Sequence, residues 1–202
     1  AAAIKQFLST HYPYTNVIAH QHFIGNAMGT SGQDLKILDE LLDNADLVYD
    51  ATAELGLQHL FSDLAAERSV PYICASTTTG AWGGLIARIC AGKTEGCWNC
   101  LQWHLMESAI PTPPNDPSGL VQPKGCGDPT FTGAGCDVSE IALAGVRLAV
   151  ATLCRGQRGG YPDFEWDVGV LALRDAAGRA IASRWNTFSL SRHPKCTCRK
   201  DP

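Results

Sequence analysis

Two close cysteine pairs at opposite ends of one segment limit what this chain can fold into. "EGCWNCL" places Cys97 and Cys100 near the middle, and "HPKCTCRKDP" places Cys196 and Cys198 at the end. Two cysteines at such spacing point to metal or redox chemistry. In an extended segment, residues two apart project to the same side, so both "CTC" sulfurs can reach one ion. With the CWNC pair they supply four thiolates for a tetrahedral zinc site. His193, three residues before Cys196, is a reserve ligand. The competing reading is a CWNC redox pair with free thiols in the tail. A shared metal would clip the chain's last segment to its middle.

The remaining cysteines fit no disulfide framework. Nine is an odd count, and Cys74, Cys90 and Cys154 stand alone in apolar surroundings. Together with the metal pattern, this points to a reducing, cytoplasmic compartment. The formal net charge of −4 excludes an extended nucleic-acid face. No apolar run reaches membrane length, and the opening residues are not expected to act as a signal peptide.

The first part of the chain reads as alternating strands and helices. "AAAIKQFLSTHYP" starts inside a helical pattern, with Phe7 and Leu8 expected to pack inward; it suggests a fragment of a longer protein. "NVIAHQHFI" (16–24) alternates like a strand, and "QDLKILDELLDNA" (33–45) carries leucines on one helical face. "DLVYDAT", an amphipathic helix over 54–69 and "PYICAST" then form a βαβ pattern, whose default is a parallel sheet. "TTGAWGGLIARICAG" reads as a strand bent by its glycines. Residues 110–136, dense in Pro and Gly, form a long loop, expected to be mobile and functional. A helix over 137–156 follows, with Asp137 as N-cap, Glu140 at capping-box spacing and Gly156 as its stop. "FEWDVGVLALRD" and "ASRWNTFSLSRH" form an antiparallel hairpin. The expected fold is α/β: a Rossmann-like, mainly parallel sheet with helices on both faces, extended by this hairpin and a zinc knuckle. It is read as one domain, with 1–109 the βαβ part, 110–136 the crossover loop and 137–202 the helix, hairpin and second half-site.

This order of elements, with its glycine-bent strand, "GCWNCL", Pro-rich loop, long helix and late cysteine pair, resembles the ThiF/MoeB/ubiquitin-activating enzyme family over nearly the whole chain. The resemblance implies an ATP-dependent adenylating enzyme for a ubiquitin-like or sulfur-carrier protein, commonly a homodimer, with structural zinc and, in the full-length parent, ATP and magnesium. CWNC matches the family's first metal pair, whereas CTC is one residue shorter than its second CxxC. The family's glycine-rich nucleotide loop has no counterpart here, and its ATP-contacting lysine would fall just ahead of Ala1. Its D-x-T-D-N motif reads Asp50-Ala51-Thr52-Ala53-Glu54, so Ala53 replaces the magnesium-holding acid. Asp50 and Thr52 remain as cofactor-binding candidates, or as polar residues that cap the next turn. Glu54 is expected to begin the following helix.

A crossover-loop cysteine in that family takes the activated modifier. Cys126, beside Lys124 and seven residues before Gly133, has that spacing. Cys136 is the alternative, since a helix N-terminus favours a thiolate. His20, His22, His59 and His104 carry no assigned role, and Arg88 reads as a solvated strand residue. A catalytically degenerate member that acts as a zinc-stabilised binding module is the rival function. A dinucleotide-dependent oxidoreductase is a third reading, which lacks its glycine fingerprint.

Overall fold

The structure is a computed structural model that describes residues 1–22, 24, 32–118 and 133–198; for 32–35 only the backbone is described. It divides into two compact units, Ala1–Leu41 and Leu42–Pro202. In the first, α1 spans Ala2–His11, and α2 begins at Gly32 and ends at Leu42, just past the division. Helix α1 holds no buried residue, and Phe7 is exposed rather than packed inward. Residues 16–22 form no strand, although their alternation suggested one. Alternation marks a strand only where a neighbouring strand accepts its backbone bonds, and among the described residues none pairs with this stretch.

The second unit contains β1 (Val48–Asp50), α3 (Leu55–Glu67), β2 (Tyr72–Thr77), β3 (Gly83–Ile89), α4 (Trp98–Met106), α5 (Gly135–Leu153), β4 (Val168–Arg174) and β5 (Ala180–Phe188). The five strands form one sheet in sequence order. The α/β class, the helices on both faces and the terminal hairpin are as expected. The sheet is less parallel than expected: only β1 and β2 pair in parallel, and β2–β3, β3–β4 and β4–β5 are antiparallel. The reason is local. Five residues join β2 to β3, through a single 3-10 turn at Thr79–Ala81 with Gly80 at φ 70°. So short a connection cannot carry a crossover, so β3 folds straight back.

Both sheet faces are covered. On one, Tyr72, Cys74, Leu85, Ala87, Val168 and Val170 pack with Ala65 of α3 and with Trp98, Cys100 and Leu101 of α4. On the other, Ile73, Ala75, Ile86, Leu171 and Leu173 pack against Ile141, Leu148 and Ala149 of α5. Two glycines allow α5 this close. A Cβ on Gly84 would lie 2.4 Å from Ile141, and one on Gly145 would lie 2.3 Å from the Tyr49 hydroxyl.

Helix α5 does not use the cap that its sequence offers. Its N-cap is Ala134, with no side-chain cap bond. Asp137 instead accepts from Arg174 at 2.9 Å, and Glu140 accepts from Ser183 at 2.8 Å, so the acids tie α5 to β4 and β5. The helix ends at Leu153, and Gly156 (φ 76°) belongs to the turn beyond.

Arg88 overturns the solvated reading. It is fully buried on β3 and donates to Asp163, Thr152 and the carbonyls of Phe164 and Trp166. It thereby holds the connection between α5 and β4. Burial acts to raise the Asp163 carboxyl, but the hydrogen bond and charge of Arg88, aided by Lys93, hold it below the usual carboxylate range. A depressed folded-state pKa contributes stability above the unfolded pKa, and that contribution is lost as pH falls through the folded value. Arg88→Ala is expected to cost roughly 3–5 kcal/mol in urea unfolding, because a buried ion pair loses one partner. It should also flatten the loss of stability below the ordinary carboxylate pKa; unfolding curves that match wild type at every pH would contradict this role.

Candidate metal centre and the carboxyl end of the sheet

Cys97 is the N-cap residue of α4 and Cys100 lies in its first turn, so both sulfurs share one helical face. Gly96 brings this turn against the segment after β5. Its N–H donates to the Leu190 carbonyl at 2.8 Å, and a Cβ there would lie 2.6 Å from the Ser191 carbonyl oxygen. Cys196 and Cys198 arrive from the end of that segment. The Cys196 N–H donates to the His193 carbonyl at 3.0 Å, and the Cys198 N–H donates to the Cys196 sulfur at 3.4 Å.

The four cysteine sulfurs all lie within 4.8 Å of one another. Cys97 to Cys196 is 3.5 Å, and Cys97 to Cys100 and Cys100 to Cys198 are each 3.7 Å. A disulfide needs about 2.05 Å. A tetrahedron of metal–sulfur bonds of about 2.3 Å has edges of about 3.8 Å. The separations match the tetrahedron, so the set can hold a metal ion. Burial pushes the Cys97 thiol up, and pushes Cys198 up to about 11. At Cys100 burial also opposes the charge, but backbone hydrogen bonds from His193 and Cys97 outweigh it and lower the thiol. His193 is no ligand in this arrangement. Its Nε2 meets Glu107 at 3.1 Å, and its Nδ1 accepts from the Lys195 N–H at 3.2 Å.

The other candidates gather at the carboxyl end of β1 and β2. Asp50 is buried and fully engaged. One oxygen accepts from the Thr52 N–H at 2.8 Å and hydroxyl at 2.7 Å, and the other accepts from the Tyr72 hydroxyl at 2.9 Å. Ala53 sits in the left-handed region at φ 52°, a conformation that Asp and Asn tolerate better than Ala. Glu54 begins α3 as expected, its carboxylate capping the Leu57 N–H at 2.8 Å.

Antiparallel pairing brings the start of β3 and the end of β4 to this same end of the sheet. The Asp137–Arg174 bond fixes the start of α5 there too, and Cys136 is exposed in its first turn. Cys126 and Lys124 lie outside the described residues. The described beginning of the Pro-rich loop is stitched down rather than loose. Thr78 donates to the Pro114 carbonyl at 2.5 Å, the Thr79 N–H to Asn115 at 3.0 Å, and the Asp116 N–H back to the Thr79 carbonyl at 3.2 Å.

A family model described as the ThiF family matches residues 1–155. The chain belongs to the ThiF family. Two Sinorhizobium fredii proteins, y4oA and y4qC, are 32% and 35% identical over 97% and 98% of it. The chain spans about a third of each of those relatives (33% and 34%). Among solved structures, it is similar to E. coli MccB with ATP, at a TM-score of 0.62 and 13% identity, covering 97% of this chain and 49% of that one. PaaA is similar at a TM-score of 0.57 and 12% identity, covering 92% of this chain and 54% of that one. These likenesses confirm the fold. Among the described residues, no helix is long and apolar enough to cross a membrane.

Sequence reasoning missed the residues around the cysteines. His104 had no assigned role, yet its Nε2 lies 3.0 Å from the Ser191 carbonyl. Glu107 carried no signal beyond its place ten residues after Cys97 on the same helix face. Exposure sets an order of thiol reactivity. A thiol probe near neutral pH is expected to modify Cys136 well before Cys74, which is fully buried and pushed up to about 12 by burial. Mass spectrometry of the labelled chain would contradict this if Cys74 reacted first.

Proposed function

We propose that this chain is part of an ATP-dependent enzyme that adenylates the terminal carboxylate of a ubiquitin-like or sulfur-carrier protein. The family match over residues 1–155 carries the reading. In the reaction, a carboxylate oxygen of the partner attacks the α-phosphate of ATP. A P–O bond forms, the bond to the leaving phosphate breaks, and pyrophosphate departs, leaving an acyl-adenylate. Positioning of the two reactants and stabilisation of phosphate charge supply most of the rate. In this reading Asp50 and Thr52 are the cofactor-binding residues at the carboxyl end of β1: Asp50 fixes the turn that ends the strand, and Thr52 is the contact to the nucleotide. Ala53 offers no side-chain carboxylate, so these residues do not fit magnesium at the family's position.

The activated carboxyl then passes to a cysteine, Cys126 or alternatively Cys136. Transfer forms a thioester and releases AMP, the thiol proton leaving to solvent. Exposure of Cys136 at the start of α5, tied by Asp137 to the end of β4, supports the alternative. Cys97, Cys100, Cys196 and Cys198 hold a structural zinc, supported by their sulfur separations. Zinc thiolates at four cysteines, and no disulfide at the other described ones, suit a reducing, cytoplasmic setting. The parent acts as a homodimer in this reading, with residues 1–202 contributing a single domain.

Ala53 and the complete engagement of Asp50 favour a second reading, a degenerate member that binds the same partner without chemistry. ATP–pyrophosphate exchange separates the two. The isolated chain is expected to show none, and the parent with its carrier protein is expected to show exchange. Cys126→Ser in the parent should preserve exchange while abolishing a thiol-sensitive conjugate; if Cys136→Ser alone does so, the transfer role belongs to Cys136. No exchange by the parent would leave the binding module.

A further inference from the structure

Helix α4 carries more than the first pair of cysteines. Cys97, Cys100, His104 and Glu107 follow at steps of three, four and three residues, and so share one helical face. The far end of that face grips the segment that delivers Cys196 and Cys198. Glu107 takes two partners there: its Oε2 lies 3.1 Å from His193 Nε2, and its Oε1 lies 2.6 Å from Lys195 Nζ. Because His193 Nδ1 accepts from the Lys195 N–H at 3.2 Å, the neutral ring carries its proton on Nε2 and donates it to Glu107.

The grip is packed as well as bonded. His193 is buried and stacked on Trp103 of α4, ring centroids 5.6 Å apart and planes 12° apart, with His104 edge-on at 5.0 Å. The Lys195 ammonium lies 5.2 Å from the Trp103 ring centroid. The turn held this way is the one whose His193 carbonyl receives the Cys196 N–H. On the other side of Cys198, Arg192 Nη2 donates to its carbonyl at 2.7 Å.

We propose that Glu107 and His193 are positioning residues for the metal, acting as a clamp that presets the Cys196–Cys198 half-site against Cys97 and Cys100. The inference rests on the metal reading of the four cysteines. Without the clamp, the last six residues before Cys198 must be ordered when the metal binds. With it, that ordering is already complete, so bound metal leaves slowly. Lys195 adds an exposed ion pair, a weaker contribution.

The test is zinc loss from the 202-residue chain to a chromogenic chelator. Partners that orient metal ligands typically alter affinity 10- to 100-fold. Glu107→Ala is therefore expected to release zinc about tenfold faster or more, with far-UV circular dichroism unchanged, since Glu107 is itself exposed. Glu107→Gln, which keeps an acceptor for His193 Nε2–H, should restore most of the retention. His193→Ala, which also loses the Trp103 stack, should release zinc at least as fast as Glu107→Ala, and the double variant should be no faster than His193→Ala, because the Glu107 contact is already gone. Lys195→Ala should change the rate less than about threefold. Wild-type retention with a Glu107→Ala rate within twofold of it would overturn the clamp alone. A wild-type chain that holds no zinc would overturn the metal reading, and the clamp with it.

Discussion

The meeting of Cys97 and Cys100 with Cys196 and Cys198 is the contact on which the arrangement of this molecule turns. It joins residues 98 and 99 positions apart. Everything between them, the Pro-rich loop, α5 and the β4–β5 hairpin, is thereby closed into one loop. For a covalent link, closing a loop of about 100 residues stabilises by about 4–5 kcal/mol through the entropy of the unfolded chain. A metal bound by both pairs acts in the same direction. The last strand, β5, is exposed along most of its length, and among the described residues it pairs with β4 alone, so the clip adds to that pairing and to the Glu140–Ser183 bond in securing it. Phe188 and Leu190 pack in the same core cluster as Cys100 and Cys196, and the clip therefore also completes the core.

The opposite end of the sheet is organised by hydrogen bonds rather than by sulfur. Asp50, Thr52 and Tyr72 lock the turn after β1, and Thr78 and Thr79 lock the start of the Pro-rich loop onto the turn after β2. The start of α5 is drawn to the same place by Arg174. A ligand at the carboxyl end of a parallel strand pair would meet these three turns, as in open α/β sheets generally. Ala53 sits there in the left-handed region, a backbone shape that Asp and Asn tolerate better than Ala.

Much of this was legible in the sequence, for physical reasons that differ by element. Helices α3 and α5 announce themselves by long apolar periodicity, and the β4–β5 hairpin by alternation around "DAAGR". Both cysteine pairs were visible because few roles other than a metal explain such spacing. Strand direction was not legible, because it depends on a five-residue corner at Gly80 and not on the strands themselves. Arg88 was misread because its partners lie 64 to 78 residues away, beyond any local pattern. The cap of α5 was misread because Asp137 and Glu140 had tertiary partners that outcompeted the local backbone. Residues 16–22 alternate with no neighbouring strand among the described residues, and periodicity alone cannot supply one.

X-ray absorption at the zinc edge tests the metal clip most directly. The chain purified with zinc is expected to bind one equivalent, with four sulfur neighbours at about 2.3 Å. A spectrum with nitrogen or oxygen replacing two of the sulfurs, or a chain with no stoichiometric zinc, would contradict the closure of the hairpin by all four cysteines.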